Sequence, residues 1–345
     1  GTVREAGLAD LSPPSQINQP GSEVYDPVVA GSQDRRILVA WRDQDKNAGA
    51  FMRGGVLGTT GIRGASMAIT WGAQELFTTL QAHKMALVAF DANRFALLYA
   101  DNVPATLHTP TEHFGNSILV GVGRAGAVTS IGQHRFCGFP IVRLEVTKVA
   151  PNAFVVAGRG AKIVDDMNSS RTRNQEAVAI YGELVDDTLV FDPNALSLEP
   201  NSTNIWARGL SLIAPNTFAY AYQHGADAMK MAVVEINPET HSMKIVQPPV
   251  ALRNSFSPYV SMLSVPYTAS NPHTLTLYES NSKSMVNVCS WDKEHRNLSR
   301  CEDFTWLSHP LSSASGVHLG GGRAFMAFST REGTPYYSVF GLAKK

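Results

Sequence analysis

Phe218-Ala-Tyr-Ala-Tyr222 is the clearest copy of a short apolar segment that recurs along this chain. The same element is found at Ile37–Trp41, Phe95–Tyr99, Phe154–Gly158, Thr274–Tyr278 and Ala324–Phe328. The starts of successive copies lie 58, 59, 64, 56 and 50 residues apart. A period of this size indicates a repeat architecture in which each repeat is one supersecondary unit.

Each repeat has the pattern of four short strands. An apolar run such as Met85–Phe90 comes before the repeated segment, and a turn such as Asp91-Ala-Asn93 joins the two into a hairpin. A third apolar run follows, as at Ser117–Val122, and a more polar fourth run, as at Thr188–Phe191. The pattern predicts an all-β protein with almost no helix, a six-bladed β-propeller of four-stranded antiparallel blades.

The repeats cover the whole chain, which predicts a single domain over 1-345. The expected blades are approximately 22-80, 81-138, 139-200, 201-252, 253-309, and 310-345 plus 2-20. The last repeat ends at Tyr336–Leu342 and supplies three strands only. We therefore expect the N-terminal segment around Thr2–Leu11 to provide the missing strand and close the ring, which removes two exposed sheet edges.

The repeated unit combines a Phe/Tyr-rich second strand, a Gly-bearing third strand and a fourth strand such as Ile69-Thr-Trp-Gly72. It resembles the loosely related propeller repeats of lectins and sialidase-like proteins. This resemblance implies the architecture and assigns no specific family. The chain contains neither a Gly-His…Trp-Asp repeat nor a Ser-x-Asp-x-Gly-x-Thr-Trp box.

Composition excludes several function classes. Hydrophobic residues make up 44% of the chain and charged residues 17%, as in a packed globular protein. Lys+Arg and Asp+Glu balance at 29 each, so the chain lacks the basic excess that nucleic-acid binding requires. No apolar run approaches the ~18 residues of a membrane helix, so no membrane span is predicted.

Cysteines and glycosylation sequons favour a secreted or cell-surface protein. Cys289 and Cys301 flank a polar segment between two strand-like runs, which favours a hairpin disulfide over two free thiols. Sequons begin at Asn168, Asn201 and Asn297, all in polar, loop-like surroundings. Disulfides and glycans are typical of extracellular proteins.

Cys137 has no evident partner and is expected to be a small buried apolar residue.

Aligning the repeats on the second strand places polar residues together at one face of the propeller, around the central funnel. Asp26, Lys84 and Arg143 occupy one equivalent position, Arg208 lies one place away from it, and Tyr259 lies nearby. The ends of the second strands add further polar side chains to this face: Arg42, Asp43, Asp101, Arg159, His224 and Glu279.

Two interpretations of this polar face are open. Lys84, Arg143 and Arg208 form a cationic cluster that would hold the carboxylate or sulfate of an acidic sugar. Tyr259 would stack on the sugar, and Asp26 or Asp43 would donate a proton. The alternative is that these residues only solvate the strand ends. Two long connections, Asp101–Asn116 and Arg159–Gln175, fall on the same face, where binding loops are common.

Other motifs give weaker indications. Asp43–Gly49 has oxygen ligands at alternating positions, but its glycine comes one residue too late for a calcium loop, which favours a solvated hairpin loop. His108–His113 contains two imidazoles and a carboxylate without helical spacing. We predict no metal and no cofactor.

Two hypotheses for function follow. The first is an extracellular recognition module, a monomer, that binds a glycan or a protein through the funnel face. The second is a carbohydrate-active enzyme, a glycoside hydrolase or a polysaccharide lyase, acting on an acidic sugar. The absence of a catalytic signature such as a nucleophile elbow favours recognition.

Overall fold

The computed structural model describes residues 24–341 of the chain, apart from 33, 44–48, 58–68, 80–81, 104–111, 164–172, 200–204, 226–227, 255–256, 258–259, 267–271, 321–322 and 331–334. Every regular element in the described ranges is a strand, so the prediction of an all-β protein is confirmed. No helix long and apolar enough to cross a membrane occurs among these residues.

The chain divides into two compact units. We call Leu8–Arg173 with Ala179–Ala195 the N-terminal unit, and Leu196–Lys345 with Asn174–Val178 the C-terminal unit. The prediction of one propeller domain over 1-345 stays a prediction.

The N-terminal unit begins with a four-stranded antiparallel sheet whose strands follow chain order. Its strands are β1 (Val24–Gly31), β2 (Arg36–Asp43), β3 (Ala50–Leu57) and β4 (Ile69–Thr78). The predicted second strand, Ile37–Trp41, lies inside β2. This sheet is therefore the first repeat expected from the sequence.

The next two repeats share one eight-stranded sheet, because a single 23-residue strand belongs to both. The first half of this strand pairs with the strand before it and the second half with the strand after it. The bounds are β5 (Ala82–Ala89), β6 (Arg94–Val103), β7 (Glu112–Val122), β8 (Val128–Ala150), β9 (Ala153–Ile163), β10 (Arg173–Val185) and β11 (Thr188–Phe191). A short strand, β12 (Leu196–Glu199), pairs with β10.

The C-terminal unit contains two further four-stranded antiparallel sheets and one three-stranded sheet, each in chain order. The first consists of β13 (Ile205–Ala214), β14 (Thr217–His224), β15 (Ala228–Ile236) and β16 (Met243–Arg253). The second consists of β17 (Val260–Pro266), β18 (Pro272–Ser280), β19 (Lys283–Asp292) and β20 (Asn297–Leu307). The third consists of β21 (Leu311–Gly320), β22 (Arg323–Thr330) and β23 (Pro335–Gly341).

The three-stranded sheet agrees with the expectation that the last repeat supplies only three strands. The segment predicted to complete it, Thr2–Leu11, lies outside the described residues. Closure of the ring and the count of six blades therefore remain predictions.

The first strands of successive repeats lie beside one another within each unit. In the N-terminal unit, β5 lies next to β1 and β8; in the C-terminal unit, β17 lies next to β13 and β21. Second strands are consequently covered on both faces. Phe218, Tyr220 and Tyr222 on β14 are fully buried, as are Phe95 and Leu97 on β6. The fourth strands are more exposed; the side chain of Leu76 on β4, for example, is half exposed. Burial between neighbouring sheets therefore explains why the fourth run of a repeat is more polar than the runs before it.

Cys289 on β19 and Cys301 on β20 form the predicted disulfide across their hairpin, with the two Cα atoms 4.1 Å apart. Cys137 is a buried free cysteine, as expected. Its thiol lies 3.1 Å from the carbonyl oxygen of Phe139, and burial raises its pKa to about 11.

Candidate functional site

A β-bulge interrupts the first strand of each repeat in the N-terminal unit. The pairing of β1 with β2 shifts at Asp26-Pro27, that of β5 with β6 at Lys84-Met85, and that of β8 with β9 at Arg143-Leu144. Bulges bend a strand and redirect its side chains. The three positions aligned from sequence are thus the first residue of the same bulge in three successive repeats.

The C-terminal unit repeats this feature. The pairing of β13 with β14 shifts between Ile205 and Arg208, so that Arg208 follows the bulge directly. The bulge residues here are Trp206 and Ala207, so Arg208 lies two residues after the position that Asp26, Lys84 and Arg143 occupy, one residue farther than expected from the sequence. The bulge itself left no recognisable signal in the sequence, because an extra residue in one strand does not interrupt an apolar pattern.

The structure does not describe the side chains of several predicted site residues. The side chains of Asp26, Asp43, Lys84 and Arg208 lie outside the described part of the chain, and so does Tyr259 altogether. Their role as a cationic and acid–base cluster stays a prediction.

Arg143 is described, and it lies where the long strand β8 changes partners. Pro140 of β8 is paired with Phe114 of β7, whereas Val142 is paired with Arg159 of β9. Arg143 follows directly with φ of 61°, a left-handed conformation that is uncommon for a residue other than glycine. We call the region around this change of partner the β8 switch.

The β8 switch brings two arginines together. Arg159 is only partly exposed, and burial, reinforced by the positive charge of Arg143, lowers its pKa. No hydrogen bond or ion pair to Arg159 occurs within the described ranges. The positive charges of Arg143 and Arg159 act on each other, so this part of the switch is suited to attract a carboxylate, sulfate or phosphate group.

A buried carboxylate lies in the same sheet, two strands away from the switch. Asp101 of β6 is paired in register with Phe114, which in turn is paired with Pro140. Its side chain is 9% exposed, and its buried Oδ1 atom has no hydrogen-bond partner among the described residues. A buried acceptor without a donor is unfavourable, so Asp101 is suited to accept a hydrogen bond from a ligand.

The reactive side chains near Asp101 are not activated. Burial, together with the Asp101 charge, raises the pKa of Tyr99 to about 12, and the Tyr99 hydroxyl accepts a hydrogen bond from Gln133 Nε2 at 2.5 Å. The raised pKa of Cys137 keeps its thiol protonated near neutral pH, and only the thiolate is a good nucleophile. Neither Tyr99 nor Cys137 is therefore activated as a nucleophile.

The corresponding polar groups in the C-terminal unit are already paired with one another. Glu199 Oε2 accepts a hydrogen bond from the Tyr222 hydroxyl at 2.7 Å, and Oε1 is ion-paired with Lys230. Burial disfavours the charged form of Glu199, but these bonds and the nearby His224 outweigh it and lower the pKa of Glu199. Burial, with the Glu199 carboxylate beside it, raises the pKa of Tyr222, so this tyrosine is a structural donor and not a nucleophile.

A second buried network lies at the ends of β14 and β18. The backbone N–H of Ser257 donates to Gln223 Oε1 at 2.8 Å, and the backbone N–H of Glu279 donates to Ser257 Oγ at 3.0 Å. All three side chains are buried. His224 and Glu279 lie at or near strand ends, as predicted. The backbone N–H of Glu279 belongs to this network, and His224 lies near Glu199.

Sequence reasoning missed Glu199, Lys230 and Gln223. Tyr222 could have been found, because it ends the best copy of the repeat. No signal pointed to Glu199, whose short strand β12 has no counterpart among the described residues of the other repeats.

Most of the other motifs singled out in the sequence lie outside the described residues. Most of Asp43–Gly49, most of His108–His113, and the sequons at Asn168 and Asn201 lie outside the described residues. Asn297 opens β20 and is partly exposed. Within the described ranges, no group of His, Cys, Asp and Glu is arranged to hold a metal ion.

Comparison with known proteins shows similarity of fold. No family model matches the chain, and no curated protein matches it. A protein of unknown function from Dyadobacter fermentans aligns with a TM-score of 0.61 and 9% identity over 98% of each chain. The NanB sialidase from Streptococcus pneumoniae aligns with a TM-score of 0.50 and 8% identity over 95% of this chain and 70% of the sialidase.

A lectin of Aleuria aurantia, described as a six-bladed β-propeller with a novel mode of fucose recognition, aligns at a TM-score of 0.49 with 9% identity, over 92% of this chain and 91% of the lectin. A mutant of AofleA from Arthrobotrys oligospora aligns with a TM-score of 0.54 and 11% identity over 92% of this chain and 86% of that chain. Together with the sialidase, it confirms the predicted resemblance at the level of architecture. The chain is an all-β protein of four-stranded antiparallel sheets, similar to propellers.

Proposed function

We propose that this protein is an extracellular recognition module that binds an acidic group of a glycan or of a protein partner at the β8 switch. One observation carries the proposal: Arg159 is partly buried beside Arg143, with no hydrogen-bond or ion-pair partner of its own in the described part of the chain. A buried cation without a partner lowers stability, and a bound anion would remove that cost.

Asp101 supports the same proposal. One carboxylate oxygen of Asp101 has no hydrogen-bond donor among the described residues, and Arg143 and Arg159 supply two positive charges. Together these groups suit a ligand that has both hydroxyl and acidic groups. Uronic acids, sialic acids and sulfated sugars have this combination. The disulfide and the sequon at Asn297 support an extracellular location.

The proposed architecture is a monomeric six-bladed ring closed by the N-terminal strand. Its support is the sixfold repeat of the sequence, the three-stranded last sheet, and the side-by-side first strands within each unit.

A glycan array that compares acidic with neutral glycans tests the function. We expect retention of uronate-, sialate- or sulfate-bearing glycans, and loss of that retention in Arg159→Met and Arg143→Asn. Asparagine is chosen because it adopts the left-handed conformation of position 143 more readily than other residues with a Cβ. Equal binding of neutral glycans, or unchanged binding by both variants, would contradict the proposal.

The alternative function is a carbohydrate-active enzyme, which the similarity to a sialidase keeps open. Incubating each bound glycan with the protein and analysing it for cleavage separates the two. An intact glycan supports recognition, and cleavage supports the enzyme.

A further inference from the structure

A small cavity lies inside the N-terminal unit, between the sheet β1–β4 and the strands β7 and β8. Its volume is about 180 Å³. Met52 of β3 and Ile118 of β7 are buried and form its floor, and Phe77 and Val128 contribute to its apolar walls. Engineered apolar cavities of about 150 Å³ hold a benzene ring, so this space fits one ring with a short side chain.

The mouth of the cavity is amphipathic. Leu76 lines it while 50% exposed, which leaves an apolar surface that a bound molecule would cover. Ser130 and Gln133 provide polar groups on the β8 side. The ring of Phe77 lies edge-on to Tyr99, with the centroids 5.2 Å apart, which fixes the aromatic wall.

Glu75 is the charged residue among those that line the cavity. Its carboxylate makes no hydrogen bond or ion pair within the described ranges. The neighbouring Arg53 side chain is directed elsewhere, since its Nε donates to the carbonyl oxygen of Gly72 at 2.7 Å and its guanidinium lies 5.7 Å from the Trp71 ring centroid. Glu75 is paired in register with Met52, which forms part of the cavity floor.

We propose that this cavity binds a small organic cation: an ammonium group carried on an aryl or short alkyl body. The apolar body fills the space above Met52 and Ile118, and the ammonium group pairs with Glu75 at the mouth. Because Glu75 is exposed, pairing there needs little desolvation of the carboxylate. Nothing in this proposal depends on the β8 switch.

Titration with 2-phenylethylammonium, followed by ligand-observed NMR and calorimetry, tests the proposal on the full chain. We expect a dissociation constant on the order of 1 mM for a ligand of this size. The uncharged 2-phenylethanol, which has the same shape, should bind about two- to fivefold more weakly, and so should 2-phenylethylammonium to Glu75→Gln. Asp34→Asn removes an exposed carboxylate from the turn between β1 and β2 and should leave the affinity unchanged.

Each contrary result overturns a defined part of the proposal. Equal affinity for the alcohol and the ammonium ion would show that Glu75 does not select charge. Unchanged affinity in Glu75→Gln with a native melting temperature would place any binding elsewhere. Absence of binding at a concentration roughly tenfold above the expected dissociation constant, or saturable binding of uncharged methyl glycosides instead, would refute an organic-cation site.

Discussion

Replacing Arg159 with methionine should leave the protein as stable as before, or more stable, while removing its response to anions. Methionine keeps an unbranched apolar stem on β9 and removes one of two guanidinium charges that repel each other. Burial and the Arg143 charge both lower the pKa of Arg159, which means that the folded state disfavours its charge. The unliganded protein therefore carries an electrostatic cost at this position.

The size of that cost follows from Coulomb's law. Two like unit charges near a protein surface, at an effective dielectric constant of about 20, repel by a few kcal/mol at close range, and wider separation and physiological salt lower this to about 1 kcal/mol. Unfolding entropy of about 2.1 cal/mol/K per residue, summed over all 345 residues, converts 1 kcal/mol into about 1.4 °C of melting temperature. We expect Arg159→Met to melt between 0 and about 2 °C above the wild type.

The effect of added anions on the melting temperature should differ between the wild type and Arg159→Met. A ligand at a hundredfold excess over its dissociation constant stabilises the folded state by about 2.7 kcal/mol, or about 4 °C in a chain of 345 residues. The assay is calorimetric melting with glucuronate or sulfate, with chloride adjusted to keep ionic strength constant. The wild type should gain stability, Arg159→Met should not, and Arg124→Met, which removes an exposed arginine, should behave as the wild type.

Two results would refute this reasoning. One is a wild-type melting temperature that no anion changes. The other is an Arg159→Met variant that is less stable by more than about 2 kcal/mol and still responds to anions, since that would make Arg159 a structural residue.

Three further predictions concern stability. Replacing Cys289 and Cys301 with serine should lower the free energy of unfolding by about 3 kcal/mol, measured by denaturant titration, because the disulfide joins residues 12 apart in sequence. Gly72→Ala should cost about 2 kcal/mol in the same assay, because its Cβ would lie 2.1 Å from the carbonyl oxygen of Gly126. Glu199 has a lowered pKa, so it contributes stability above its unfolded pKa that is lost as the pH falls through its folded pKa; Glu199→Gln should therefore flatten the loss of stability between about pH 5 and pH 2 by about 1 kcal/mol.

Matched controls separate these effects from general destabilisation. Gly121→Ala meets its nearest atom at 3.6 Å and should change stability by less than about 0.5 kcal/mol. Glu294→Gln, in an exposed turn, should keep the acid dependence of the wild type. The glycine prediction is wrong if Gly72→Ala is as stable as Gly121→Ala. The acid prediction is wrong if Glu199→Gln keeps the wild-type dependence of stability on pH. The disulfide is absent if all three cysteines titrate as free thiols under non-reducing denaturation.

The sequence predicted the strands because their signal is local. Phe218–Tyr222 and its counterparts are apolar at nearly every position, with Thr274 and Thr276 as exceptions, which is typical of strands covered on both faces. The turns between them contain turn-forming residues. The disulfide was also predictable, because a hairpin brings Cys289 and Cys301 together independently of the rest of the fold.

The repeat also placed Asp26, Lys84 and Arg143 at one equivalent position, which the three bulges reproduce in the backbone. It placed the boundary between the second and third repeats near residue 138. The structure has no break there, since β8 runs on and changes partners between Pro140 and Ile141.

Tertiary structure alone decided which polar residues come together. Arg143 meets Arg159 through the pairing of β8 with β9, Asp101 is buried because β6, β7 and β8 pair in one register, and Glu75 lies over a cavity formed between two sheets. Periodicity reports which residues are apolar and in what order they alternate. It carries no information on the register between strands or on the gap left between sheets, because both depend on packing among side chains far apart in the chain.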